Sequence, residues 1–197
     1  MQLESVKTFR ENAEKDADNF EQKMLYASVE YVLGATYSRL GDIAKSEQTF
    51  QHALQLFDEL VKHDGQNFDN FQKRCEAKFA YADELLRRGE IENARKIYEK
   101  AYLETEKAAH EKDFADGESL RGIYLEKLGN CDLATAKKEN KTARESIEKA
   151  LSNYRQTAEI WTKSGARSIL GIGQNFKLPV LQRKIIRTQE LLDKTTE

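Results

Sequence analysis

One stretch of this chain occurs twice at a fixed separation. Asp16, Asn19 and Phe20 recur as Asp64, Asn67 and Phe68, and Arg39, Gly41 and Ile43 recur as Arg87, Gly89 and Ile91, always 48 positions on. Phe9 recurs as Phe57, and Ala53 as Ala101, at the same offset. A gapless period of this kind marks a stack of similar supersecondary units, each of which buries its apolar face against its neighbours. Stacks of that sort present surfaces that bind other molecules.

The composition identifies the unit as helical. Charged residues make up 34% of the chain and hydrophobic ones 39%, below the 45–50% or so of an average soluble domain. Stacked amphipathic helices account for both, because each keeps a wide polar face. A single proline and few glycines favour long helices over a turn-rich β fold. Thirty-two basic and 34 acidic residues leave a formal charge of −2, so nucleic acid and anionic membranes are not expected as main partners. No apolar run approaches the roughly 18–20 residues of a membrane span. The opening Met1-Gln-Leu-Glu-Ser5 does not read as a signal peptide. Cys75 and Cys131 stand apart with no CxxC partner, which fits a reducing cytoplasm.

Apolar spacing predicts a helix over 20–40, where Phe20, Met24, Ala27, Tyr31, Gly34 and Leu40 fall mostly three or four apart. Gly41 ends it and Asp42 caps the next helix, whose stripe runs from Ile43 through Phe50, Ala53 and Phe57 to Val61. Helices over about 68–88 and 90–111 repeat the plan around Gly89. A degraded third copy puts Gly122, Leu128 and Gly129 where Gly34, Leu40 and Gly41 stand. Ala143, Ile147 and Ala150 form its small–large–small stripe. That register makes 131–141 an insertion extending the turn after Gly129. The helix over about 3–15 aligns with the second half of a hairpin, since Phe9 matches Phe57; a longer array cut short and a lone capping helix both explain it. Three glycines make 164–177 an irregular loop, and Pro179 opens a last helix that covers the end of the stack.

These hairpins resemble tetratricopeptide repeats. The first reads Leu33-Gly34, Tyr37, Leu40-Gly41, then Ser46, Phe50 and Ala53; the second reads Tyr81-Ala82, Leu85, Gly89, then Ala94, Tyr98 and Ala101. Small residues let two helices approach, and the aromatic fills the gap they frame. Ser46 departs from the usual alanine, and the proline that commonly closes a unit is absent. The period exceeds the family's 34 or so, so each helix is expected to be about two turns longer. That is similar to kinesin-light-chain arrays and to arrays of large bacterial signalling proteins. The segment Lys15-Asp16-Ala17-Asp18-Asn19 looks like turns in arrays attached to bacterial Ser/Thr kinases. The resemblance implies an all-α, right-handed α-α superhelix of tandem hairpins with about seven or eight helices. It has a half unit over 1–18, units over about 19–66, 67–114 and 115–163, then a loop and capping helix over 164–197.

In the family, first helices line a concave groove that holds peptide segments. By position the groove here comprises Ser28, Tyr31, Ala35, Ser38 and Arg39, then Glu76, Phe79, Asp83, Leu86 and Arg87, then Asp116, Ser119, Ile123, Glu126 and Lys127. Aromatics beside arginines are typical hot-spot residues; the competing reading packs the aromatics against a neighbouring helix and leaves the arginines solvated. Tyr31 and Ala35 stand where chaperone-tail-binding members carry a lysine and an asparagine, so a terminal-carboxylate clamp of that kind is not expected. Gly171-Ile172-Gly173-Gln174-Asn175-Phe176 lacks the Gly-Lys-Ser/Thr of a phosphate loop. His52, His63 and His110 have no histidine at i+4, and no nucleophile–base set is evident, so no metal, cofactor or catalytic residue is expected. Lys177, Arg183, Lys184 and Arg187 make the last helix basic, suiting a solvated cap or an acidic partner or membrane. The expected function is a non-catalytic cytoplasmic scaffold that binds a protein or peptide, with self-association possible through open stack ends. The alternative is a regulatory or self-assembly segment of a larger bacterial signalling enzyme, such as a Ser/Thr kinase.

Overall fold

A computed structural model describes residues 2–15, 19–111, 117–139, 142–163 and 174–195. Among these residues there are eight α-helices and no strand: α1 (Gln2–Lys15), α2 (Phe20–Leu40), α3 (Ile43–His63), α4 (Phe68–Arg87), α5 (Ile91–Glu111), α6 (Gly117–Lys138), α7 (Ala143–Lys163) and α8 (Gln174–Lys194). They form two compact units, Met1–Arg88 and Gly89–Glu197. Residues 16–18, part of the kinase-array-like segment, lie outside the described residues, as do Asp116 and 164–173 of the expected loop.

The helix ends follow from local chemistry. Asn19 and Asn67, 48 apart, cap α2 and α4 alike, each accepting from the N–H three residues on (Gln22 and Asn70) at 3.1 Å. Gly41 and Gly89 both adopt positive φ, 84° and 81°, a conformation that costs a Cβ-bearing residue dearly but glycine little. Asp42 then caps α3 by accepting from the Lys45 N–H.

In the first unit α2 packs on α1, α3 and α4, and α3 packs on α4. Its core gathers Ala27, Phe57, Leu60 and Ala77, with Phe20, Met24, Tyr31 and Leu54 against them. The α2–α3 crossing is set by Gly34: a Cβ there would stand 2.9 Å from Phe50 Cδ2, so the Phe50 ring lies on bare backbone. Ser46 is fully buried nearby, and its hydroxyl has no hydrogen-bond partner among the described residues.

In the second unit α6 packs on both α5 and α7, and α7 on α8. Helix α6 buries residues on most of its circumference, among them Leu120, Ile123, Tyr124, Leu128 and Cys131, as a helix packed on both sides does. Here the sequence expectation is corrected. Gly129 ends no helix; α6 runs through it to Lys138, and most of 131–141 is its last two turns. A Cβ on Gly129 would stand 2.6 Å from Tyr154 Cε1, so Gly129 and Tyr154 do what Gly34 and Phe50 do. The small–large–small stripe of this hairpin is therefore Ala150, Tyr154 and Thr157, all fully buried, rather than Ala143, Ile147 and Ala150. Two turns along from the Gly129–Tyr154 contact, Trp161 lies against Gly122 and donates to the Ser119 carbonyl at 3.3 Å.

The last helix also begins earlier than expected. α8 starts at Gln174 and carries Pro179 inside it, where the missing N–H forgoes one intrahelical bond. Lys184 donates to Glu126 at 2.5 Å and to Asn130 at 3.1 Å and sits over the Tyr154 ring, while Lys177 sits over Trp161. Two of the four basic residues thus turn onto α6 and α7, as a capping helix requires. No helix among the described residues is long and apolar enough to cross a membrane.

Two outcomes follow. Ser46→Ala stabilises the chain by about 1 kcal/mol, because it removes a buried hydroxyl that bonds to nothing; urea unfolding measures this, and a loss of stability contradicts it. Gly129→Ala destabilises by about 1–3 kcal/mol through overpacking. In a double-mutant cycle with Tyr154→Leu the penalties couple, the second substitution relieving part of the first; strict additivity would show that the ring does not set the helix spacing.

Candidate functional site

The first unit brings α2 and α4 side by side. The exposed stripe of α2 is Leu25, Val32 and Arg39, seven residues apart, with relative exposures of 37% for Leu25 and 55% for Val32 and a side chain 72% exposed for Arg39. The 48-residue offset carries these positions to Lys73, Ala80 and Arg87 on α4. Between the stripes, polar bridges tie the helices together. Glu76 of α4, whose charge acts on the Tyr31 phenol of α2, accepts from Lys73 at 2.7 Å and from Gln72 at 3.1 Å. Two turns further along α4, Glu84 is the centre of a second bridge. It accepts from Arg39 Nε at 3.2 Å and from Arg87 Nε at 2.7 Å. Ser38, beside them, accepts from Arg87 Nη2 at 3.1 Å.

Glu84 is 5% exposed. Burial by itself pushes its carboxyl upward. The Arg87 hydrogen bond, the neighbouring Ser38 hydroxyl, the Arg87 charge and the Arg39 bond together outweigh burial and hold the group below the usual carboxylate range. Tyr31 is pushed upward, first by burial and then by the Glu76 charge.

The predicted groove residues therefore divide. Arg39 and Arg87 are exposed and joined through one carboxylate. Ser38 is buried within that bridge. Tyr31 is half-buried against the core, its ring centroid 6.4 Å from that of Phe57. Ala35 and Asp83 are half-buried on α2 and α4. Ser28 turns back onto its own helix, donating to the Met24 carbonyl at 2.8 Å. Phe79 belongs to the buried α4 stripe Phe71–Cys75–Phe79–Ala82, so it packs rather than faces outward. In the second unit Ile123 and Ser119 are buried, Lys127 is half-buried, and Glu126 holds Lys184. The sequence reading missed Leu25, Val32 and Glu84. A run of i, i+7, i+14 positions ending at a repeated arginine could have flagged the first two; an acid three residues before Arg87 could have flagged the third.

A cleft of about 520 Å³ in the first unit is lined in part by Arg10, Glu30, Lys45 and His52. Lys45 pairs with Asp42 at 2.9 Å, His52 with Glu30 at 3.2 Å, and Arg10 donates to the Tyr26 hydroxyl at 3.0 Å. His63 stacks on Phe20. No group of three or more metal-ligating side chains converges among the described residues.

The fold and this face define a helical-hairpin repeat protein with a solvent-facing stripe on the first helix of its first hairpin. Residues 28–59, within the α2–α3 hairpin, match the family model of the tetratricopeptide repeat, so the chain carries a repeat of that family. Its helices run past the matched segment at both ends, from Phe20 to His63. A comparison with curated proteins gave no match.

The bridge carries a pH signature. A depressed carboxyl contributes stability that is complete above its unfolded value, near 4.5, and lost as pH falls through the folded value. Glu84→Gln is therefore less stable than the parent chain at pH 7, by roughly 1–3 kcal/mol, and the gap narrows below about pH 4.5. Urea midpoints at pH 7 and pH 3 measure it; a gap that stays constant would show that the carboxylate is not held by the arginines.

Proposed function

We propose that this chain is a non-catalytic scaffold that binds a segment of a partner protein on the α2–α4 face of its first unit. The observation that carries this is the exposed stripe Leu25–Val32–Arg39, which lies on the repeat that matches the tetratricopeptide family, beside the buried Glu84 bridge. Repeats of this family generally mediate protein–protein interaction, and an apolar pair flanked by arginines is suited to that task. The mechanism is docking on a preformed surface: the bridges between α2 and α4 fix the two stripes, so little order is lost on binding. Tyr31 and Phe79 support the surface from below and are not its anchors.

The two roles separate by substitution. Phe79→Ala leaves a core cavity and costs about 3–5 kcal/mol of stability. Val32→Asp changes stability by no more than about 0.5 kcal/mol, as exposed positions do, and Leu25→Asp, at a position 37% exposed, costs less than Phe79→Ala. Affinity capture on immobilised full chain, with Leu103→Asp in the second unit as an exposed apolar control, tests the site. Proteins retained by the parent chain and by Leu103→Asp are lost with Val32→Asp and Leu25→Asp. Equal capture by all variants would remove the α2–α4 face from consideration.

A further inference from the structure

The Glu84 bridge satisfies its arginines unevenly. Both contact the carboxylate through Nε, and Arg87 commits one amino group to Ser38. Neither amino group of Arg39 bonds to any described residue, and one of Arg87 is uncommitted as well. Two guanidinium groups face one carboxylate, so the trio carries one positive charge in excess. Their side chains remain 72% and 51% exposed, while the Glu84 side chain is 6% exposed. The buried anion fixes the forks; the exposed amino ends stay open. In the polar cleft beside α1, by contrast, Lys45 pairs with Asp42 and His52 with Glu30.

We propose that the partner segment carries an acidic side chain that binds the free amino ends of Arg39 and Arg87. This rests on the α2–α4 face being the docking surface. One carboxylate supplies one negative charge, which balances the trio; a phosphate dianion would overshoot. Planar guanidinium donors match a carboxylate's geometry. Val32 stands seven residues from Arg39, about 10 Å along the helix at 1.5 Å per residue. A segment in polyproline II conformation rises about 3.1 Å per residue with three residues per turn, so acidic and apolar side chains on its one docked side stand about three positions apart.

A random dodecapeptide display library panned on the full chain supplies the probe. Enriched peptides carry Asp or Glu about three positions from an aliphatic or aromatic residue. By fluorescence polarisation their affinity falls roughly tenfold with Arg39→Gln, falls with added salt, and is abolished by Val32→Asp. Arg39→Gln is the informative variant because that side chain is mostly solvent-exposed; an unchanged melting temperature confirms that it leaves the fold intact. Enriched peptides without acids, or binding lost with Val32→Asp but indifferent to Arg39→Gln, would overturn the acidic assignment and leave the docking face standing. A tighter fit when phosphoserine replaces the acid would overturn the choice of carboxylate. Binding indifferent to Val32→Asp, or a library that enriches nothing, would overturn the docking face along with it.

Discussion

Helix spacing in this protein is set where a glycine backbone meets an aromatic ring. Gly34 lies under Phe50, Gly129 under Tyr154 and Gly122 under Trp161. Each contact fixes how near two antiparallel helices come and which residues face each other across them. The buried rings follow from it: Phe50 and Tyr154 are fully enclosed, and Trp161 nearly so. Burial of large rings supplies much of the apolar stabilisation in so charged a chain. Once the ring has chosen its glycine, the opposite faces of the hairpin are committed to neighbouring helices or to solvent.

A second constraint acts within each unit, where buried carboxylates hold neighbouring helices in register. In the second unit Asp132, 3% exposed, accepts from Arg95 at 2.7 Å and from Asn153 at 2.9 Å, joining α5, α6 and α7. One cation meets one anion, and an amide completes the shell. In the first unit Glu84 joins α2 and α4 with two cations. Buried charges are tolerated only when paired and hydrogen-bonded, and both carboxylates meet that condition. They differ in what remains at the surface: Arg95 is mostly covered, whereas Arg39 and Arg87 stay open.

Helix ends and the repeat itself were readable because their determinants are local. A left-handed Gly41 and a capping Asp42 act within a few residues, and both stand at their expected place in the first unit, while the Asn19 and Asn67 caps are equally local. The register of the α6–α7 hairpin was not readable. Ala143–Ile147–Ala150 and Ala150–Tyr154–Thr157 have the same spacing and lie seven residues apart. Seven residues are nearly two full helical turns, so both sets occupy one face. Only the contact of Tyr154 with Gly129 decides between them, and that contact is non-local. The outer face of α2 was hidden for a related reason. Apolar residues lie all round that helix, so periodicity singles out no exposed side, and Leu25 and Val32 do not stand out from their neighbours. Arg39 and Arg87 were legible as a repeated pair, while the carboxylate that joins them has no counterpart in the first copy, where Thr36 stands.

Comparing the two stripes separates what folding requires from what it leaves over. Leu25 becomes Lys73 and Val32 becomes Ala80, yet Arg39 remains arginine at Arg87. The apolar half of the surface therefore comes from α2 alone, and the cationic half from both helices. Neutralising a buried carboxylate takes one guanidinium, and Arg87, three residues away on the same helix and 2.7 Å distant, already supplies it. Arg39 reaches the same anion from α2 at 3.2 Å with its side chain mostly in water. In that setting its pairing adds little to stability. Its amino ends are thus the part of the bridge that the fold does not consume, next to the apolar stripe that the fold does not bury.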